Sequence, residues 1–155
     1  QTGRQRQFNQ LDIEMFGEVA PSADAQVITL ANRLFRRIGL RKLVLNINSI
    51  GDEVCKPKYK QILTDYLELH KSKLCATCNT RIIANPLRVL DCKVPSCQPI
   101  LAEAPQTLNH LCKACHAHFA GVLEYLVVNN RGCPGIPIIL IYRDYLFAQL
   151  CCQIV

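Results

Sequence analysis

The chain has 155 residues, half of them apolar, and a net charge of +6, so one ordinary domain or two small ones with a real core are within reach. The first thirty residues are polar and mixed in charge, which excludes a secretion or transit signal and points to the cytoplasm. The one long apolar run, from Ile136 to Val155, is broken by Arg143 and Asp144, each costing roughly 2.5–3.5 kcal/mol at a bilayer centre, so no membrane span is expected.

In chain order, the segment QFNQLDIEMFG (7–17) alternates apolar and polar residues most clearly from Leu11 to Met15, which predicts a half-buried strand with Gln10, Asp12 and Glu14 on one face. Pro21-Ser22-Ala23-Asp24 then offers a Ser cap. Val27, Leu30, Ala31, Leu34, Phe35 and Ile38 recur at three and four residues and end at Gly39, which predicts an amphipathic helix. A strand over Leu43 to Ile47 follows, closed by Asn48-Ser49-Ile50-Gly51.

From about Lys58 the pattern turns helical, with one stripe through Tyr59, Ile62, Leu63, Tyr66, Leu67 and Leu69. Another runs through Leu108, Leu111, Phe119, Val122, Leu123 and Leu126. Pro86, Pro95, Pro99 and Pro105 confine the residues between to turns and short helices. Residues 55 to about 127 therefore read as a compact, mostly helical unit, with a boundary near Ile50. The apolar run after Gly132-Cys133-Pro134-Gly135 is strand-like and lacks a closing polar segment, as expected of a truncated chain.

Ten cysteines are the strongest chemical signal. Without a secretory context, and in close pairs, they favour thiolate metal ligands over disulfides. Cys75-x-x-Cys78 and Cys112-x-x-Cys115 have the spacing of zinc knuckles and predict one tetrahedral Zn2+ site. Cys55, Cys92 and Cys97 would form a second, incomplete site, to which Asp52 could add an oxygen, and His116 could replace a thiol. The competing reading is that the cysteines simply fill a core, where free thiols are commonly found. A redox role is weaker, because neither pair lies at a strand-to-helix turn.

The segments GRQRQFNQLDIEMFG, PSADAQVITLANRLFRRIGL, LVLNINSIGDEVCKPKY and NPLRVLDCKVPSCQPILAEAPQTLNHLCKACHAHFAGVLEYL, in this unbroken order over roughly residues 1 to 127, resemble the histidyl-tRNA synthetases. The match begins in the second half of motif 2 of that class II family and runs through its insertion domain. The implied fold is α+β: part of the class II antiparallel sheet with a flanking helix (1–50), a helical cysteine-rich insertion (51–130), and a degenerate return to the core (131–155).

The resemblance implies a histidine–tRNA ligase that forms histidyl-adenylate from ATP with Mg2+ and passes the histidyl group to tRNA(His), as a homodimer. A chain with this much of the sheet missing would be inactive alone. Gln10 and Glu14 fall on the positions that hold the substrate ammonium in the family. Arg4 matches a loop arginine placed for phosphate or the tRNA end, and Arg143 and Tyr145 match pocket residues in a segment that lacks the family's Gly-Leu. The other reading is a non-catalytic, Zn-stabilised RNA- or protein-binding module derived from a synthetase.

Overall fold

The computed structural model describes residues 7, 9–41 and 43–127, and the backbone of 128, 138–140 and 151–154. Helix α1 spans Pro21–Arg37. Its N-cap is Ala20 rather than a serine, because Pro21 takes the first helical position, where its fixed φ fits and its missing N–H costs nothing. At the other end Gly39 has φ +96°. Its N–H donates to Arg36 O at 3.1 Å and that of Leu40 to Phe35 O at 3.0 Å, the paired bonds of a Schellman stop.

Strand β1 covers Leu43–Ile47, where the sequence predicts a strand, and its residues alternate buried and half-buried. It is the middle strand of a three-stranded sheet with β2 (Ile138–Leu140) and β3 (Cys151–Ile154) on either side. The sheet is mixed rather than antiparallel: β1 runs parallel to β2, with Leu45 opposite Ile138, and antiparallel to β3, with Leu45 opposite Cys152. A parallel neighbour needs a long crossover, and everything between Ile47 and Ile138 supplies it.

The segment 9–16 forms no strand. No described strand pairs with it, and alternation alone cannot satisfy a strand's backbone groups without a ladder partner. On the apolar side of the expected strand Leu11 is 72% exposed and Met15 43% exposed, and only Ile13 is half-buried, so that side is mostly open among the described residues.

The crossover contains α2 (Cys55–Leu69), α3 (Ala76–Ala84), the short α4 (Gln98–Ala102) and α5 (Lys113–Val128), joined by 3-10 turns at Lys71–Lys73, Pro86–Val89, Pro95–Cys97 and Thr107–His110. On α2, residues Cys55, Tyr59, Leu63 and Leu67 repeat every fourth position and are buried, whereas Ile62 and Leu69 of the predicted stripe are exposed. Tyr59 and Tyr66 lie in or against the core and satisfy their hydroxyls on Pro105 O at 2.7 Å and Ile100 O at 2.8 Å.

Two cores result. One gathers Tyr59, Leu63, Leu67, Leu74, Ile82, Val89, Ile100 and Leu101 around Cys78, Cys92 and Cys97. The other gathers Ala25 of α1, Leu45 and Ile47 of β1, and Val122 and Leu126 of α5. Helix α5, which the sequence groups with the helical unit, thus packs on α1 and β1. Its Gly121 allows the approach, since a Cβ there would meet the Pro21 ring at 2.9 Å. His118 Nε2 and Asp24 Oδ2, 2.7 Å apart, tie the same helices at the surface. Among the described residues no helix is long and apolar enough to cross a membrane.

Candidate metal centres

The described residues hold two groups of convergent ligand atoms, and in both the atoms lie within 4.8 Å of one another. The first is Cys75, Cys78, Cys92 and Cys97. The second is Asp52, Cys55, Cys112 and Cys115. The expected partnership of Cys75 and Cys78 with Cys112 and Cys115 does not form, and Cys55 does not join Cys92 and Cys97. Each Cys-x-x-Cys instead faces different partners. The physical reason is the path of the chain. The turn after α2 and the proline-bounded turns at 86–97 fold back on α3 and enclose Cys75–Cys97, while Cys112 and Cys115 lie at the start of α5, beside the start of α2.

In the first group Cys75 sits at the N-cap of α3 and Cys78 one turn inside it, so the x-x spacing turns both sulfurs to one side. Cys97 closes the turn at 95–97 and Cys92 precedes it. Cys78 and Cys97 are fully buried. The Cys75 and Cys92 sulfurs are 3.9 Å apart, close to the edge of about 3.8 Å for a tetrahedron of thiolates 2.3 Å from zinc. Backbone N–H groups also point at sulfur: Cys75 N donates to Cys97 Sγ at 3.3 Å and Val94 N to Cys92 Sγ at 3.4 Å. Such donors favour thiolate over thiol. The Cys75 thiol is held down to about 7, first by the Cys78 N–H, while burial pushes Cys78 and Cys97 up. One sulfur thus ionises readily, and its neighbours resist unless a cation compensates them.

The second group is more open. Cys55 is 1% exposed, whereas Cys112 and Cys115 are half-buried. Cys112 N donates to Cys55 Sγ at 2.9 Å, Cys115 N donates to Cys112 Sγ at 3.4 Å, and Cys112 Sγ lies 3.5 Å from Asp52 Oδ2. Asp52 also caps α2: its Oδ1 accepts from Val54 N at 2.9 Å and Cys55 N at 2.8 Å, and its backbone O accepts from Lys56 N at 3.0 Å. These bonds, with that of Cys55 N first, hold its carboxyl far below the usual range. The Cys112 thiol is held down by the Cys115 N–H, and burial pushes Cys115 up to about 12. His116 is exposed and belongs to neither group.

The other expected site residues fare differently. Gln10 and Glu14 are exposed in the unpaired segment 9–16, where Gln10 Nε2 donates to Asp12 Oδ1 at 2.8 Å. The shared strand face that would present them together is therefore not formed here. Arg4, Arg143 and Tyr145 lie outside the described residues. Asp52, three residues before Cys55, does converge with that thiol as its spacing predicts, but their partners are Cys112 and Cys115 in place of Cys92 and Cys97, a grouping that no local spacing encodes.

No protein-family model matches the chain. The histidine–tRNA ligase of Acetivibrio thermocellus is 48% identical over 134 residues, which covers 84% of this chain and 32% of that protein. The ligase of Desulforamulus reducens is 44% identical over 143 residues, covering 88% of this chain and 34% of its own length. The chain is homologous to the histidine–tRNA ligases. It spans about a third of the length of these relatives. The crystal structure of apo histidyl-tRNA synthetase from S. aureus superposes with a TM-score of 0.58 at 27% identity, covering 79% of this chain and 28% of that one. Homology to the ligases thus coincides with a helix-rich fold bearing two sulfur-rich groups, and neither group includes a residue expected to touch histidine or ATP.

Proposed function

We propose that this chain serves as a section of a histidine–tRNA ligase, in which it contributes one wall of the histidine pocket and the insertion unit that faces the tRNA acceptor arm. The observation that carries the proposal is the similarity to curated histidine–tRNA ligases, which reaches 48% identity and extends over most of the chain. In this reading ATP, Mg2+, histidine and tRNA(His) are ligands of the complete homodimeric enzyme. Gln10 and Glu14 accept hydrogen bonds from the histidine ammonium once a partner strand orders segment 9–16. A carboxylate facing an ammonium in a closed pocket contributes roughly 1.5–3 kcal/mol, enough to place the amino acid for attack on the α-phosphate of ATP. Arg4, Arg143 and Tyr145 complete the phosphate and histidine contacts. The chain alone does not aminoacylate.

The Cys75–Cys78–Cys92–Cys97 group binds Zn2+ in the same proposal. Four thiolates close the coordination shell, so the ion organises the helical unit and leaves no position for substrate. That geometry also favours a second reading, a metal-stabilised module that binds RNA or protein without catalysis.

The test is a segment exchange, replacing the matched residues of the Acetivibrio thermocellus ligase by this chain. The hybrid should retain histidine-dependent pyrophosphate exchange and lose it on Glu14→Ala. A folded hybrid without exchange, combined with tRNA binding by the chain alone, would establish the second reading instead.

A further inference from the structure

We propose that Asp52, Cys55, Cys112 and Cys115 form a second site for a zinc-like divalent ion, which clamps the chain where it enters and leaves the helical unit. The ligands span both stretches of backbone that join these two cores of the described residues. Every buried residue of the core around Tyr59 and Cys78 lies between Cys55 and Cys112, and every buried residue of the core around Leu45 and Val122 lies outside that interval. An ion here joins residues 60 apart in sequence and fixes the start of α2 against the start of α5.

The geometry suits an ion with three sulfur ligands and one oxygen. Zinc bonds of 2.3 Å to sulfur and about 2.1 Å to oxygen place sulfur and oxygen about 3.6 Å apart in a tetrahedron. Cys112 Sγ and Asp52 Oδ2 are 3.5 Å apart. The two carboxylate oxygens divide their work: Oδ1 takes the cap bonds, and Oδ2 is turned to the sulfurs. The position of Cys55 is enforced by Gly51. At φ +68° it has a backbone that side chains rarely adopt, and a Cβ there would lie 2.6 Å from Cys55 Cβ and 3.3 Å from its sulfur. A thiol-to-carboxylate hydrogen bond would account for Cys112 and Asp52 alone. It leaves unexplained why the sulfurs of Cys55 and Cys112 accept backbone N–H groups while Cys115 converges on the same point.

Three thiolates and a carboxylate in this more open group should hold zinc less tightly than four mostly buried thiolates, so this ion should exchange first. The inference does not depend on the ligase reading. Its test measures zinc bound per full-length, reduced chain, with affinity from competition against a chromophoric chelator. Cys115→Ser should lower the bound zinc by one equivalent. Asp52→Asn keeps a competent helix cap, because asparagine caps as well as aspartate, and should weaken one equivalent by tenfold or more. Cobalt(II) loading should show weaker sulfur-to-metal charge transfer per ion in this site than in the tetrathiolate. Unchanged stoichiometry in a folded Cys115→Ser protein would overturn the site, and unchanged affinity in Asp52→Asn would remove Asp52 from it.

Discussion

Zinc bound at Cys75, Cys78, Cys92 and Cys97 should raise the melting temperature of the chain by an amount the structure bounds. Tyr59, Leu63, Leu67 and Val89 bury an apolar core around these sulfurs whose packing does not itself require an ion, so the metal-free chain should stay folded. The gain is therefore a binding linkage and not the folding of a disordered peptide. At free zinc a thousandfold above Kd it is about 4 kcal/mol. For a chain of this size one kcal/mol shifts Tm by roughly 2–4 °C, so the expected rise is about 8–16 °C. Differential scanning calorimetry in a phosphine reductant, with buffered zinc or excess chelator, measures it. Reductant is needed because the Cys75 and Cys92 sulfurs, 3.9 Å apart, are near enough to pair on oxidation. Cys97→Ser should abolish most of the zinc-dependent rise while changing the chelated Tm far less. Equal melting temperatures for the wild type with and without zinc would exclude a stabilising ion at this group.

Three other outcomes follow from the geometry. Alkylation of the metal-free protein should modify Cys75 first among the tetrathiolate sulfurs, with a rate that falls as pH drops through about 7 and the thiolate is protonated; zinc should suppress it, as peptide mapping would reveal. Gly121→Ala should destabilise by up to roughly 2 kcal/mol in denaturant melts, because overpacking against Pro21 offsets about 1 kcal/mol of helix propensity, and Pro21→Ala in the same chain should recover part of it; a stabilised single variant would contradict the close approach. Gly51→Ala, strained both by its positive φ and by contact with Cys55, should cost more than 1 kcal/mol and lower zinc occupancy at the second group without emptying the first.

The sequence reveals what is local and conceals what depends on the chain's return. Strand β1 carries its burial alternation on its own residues, and α1 ends where Gly39 permits a left-handed turn, so both can be located from a short window. The x-x spacing of each cysteine pair is equally local, since one helical turn sets it. The grouping of pairs is not local. It depends on prolines folding 86–97 back over α3 and on α5 starting beside α2, and spacing encodes neither. The apolar stripe on α1 holds at Val27, Ala31, Leu34 and Phe35, which are buried or half-buried, and fails at its other two positions for a related reason. Leu30 and Ile38 are exposed while Ala23 and Ala25 are buried, because α5 approaches the start of α1 closely enough to select small side chains. The alternation in 9–16 specifies a face, but a strand also needs a neighbour's hydrogen bonds, and among the described residues none is supplied.

The two sulfur groups differ in what they could transmit. The tetrathiolate lies inside one core, so an ion there stiffens the helical unit and leaves its attachment unchanged. The group at Asp52 bridges the start of α2, in the helical unit, to the start of α5, which packs on α1 and β1. Motion of the helical unit relative to α1 and β1 has to pass through these residues, since they hold both chain crossings. If the helical unit leans on tRNA as the ligase reading holds, occupancy of this group changes how firmly it is held there without touching the pocket. Zinc removal in a complete enzyme should then alter the Michaelis constant for tRNA and leave histidine-dependent pyrophosphate exchange nearly unchanged. An equal loss in both would place the effect on global stability rather than on this hinge.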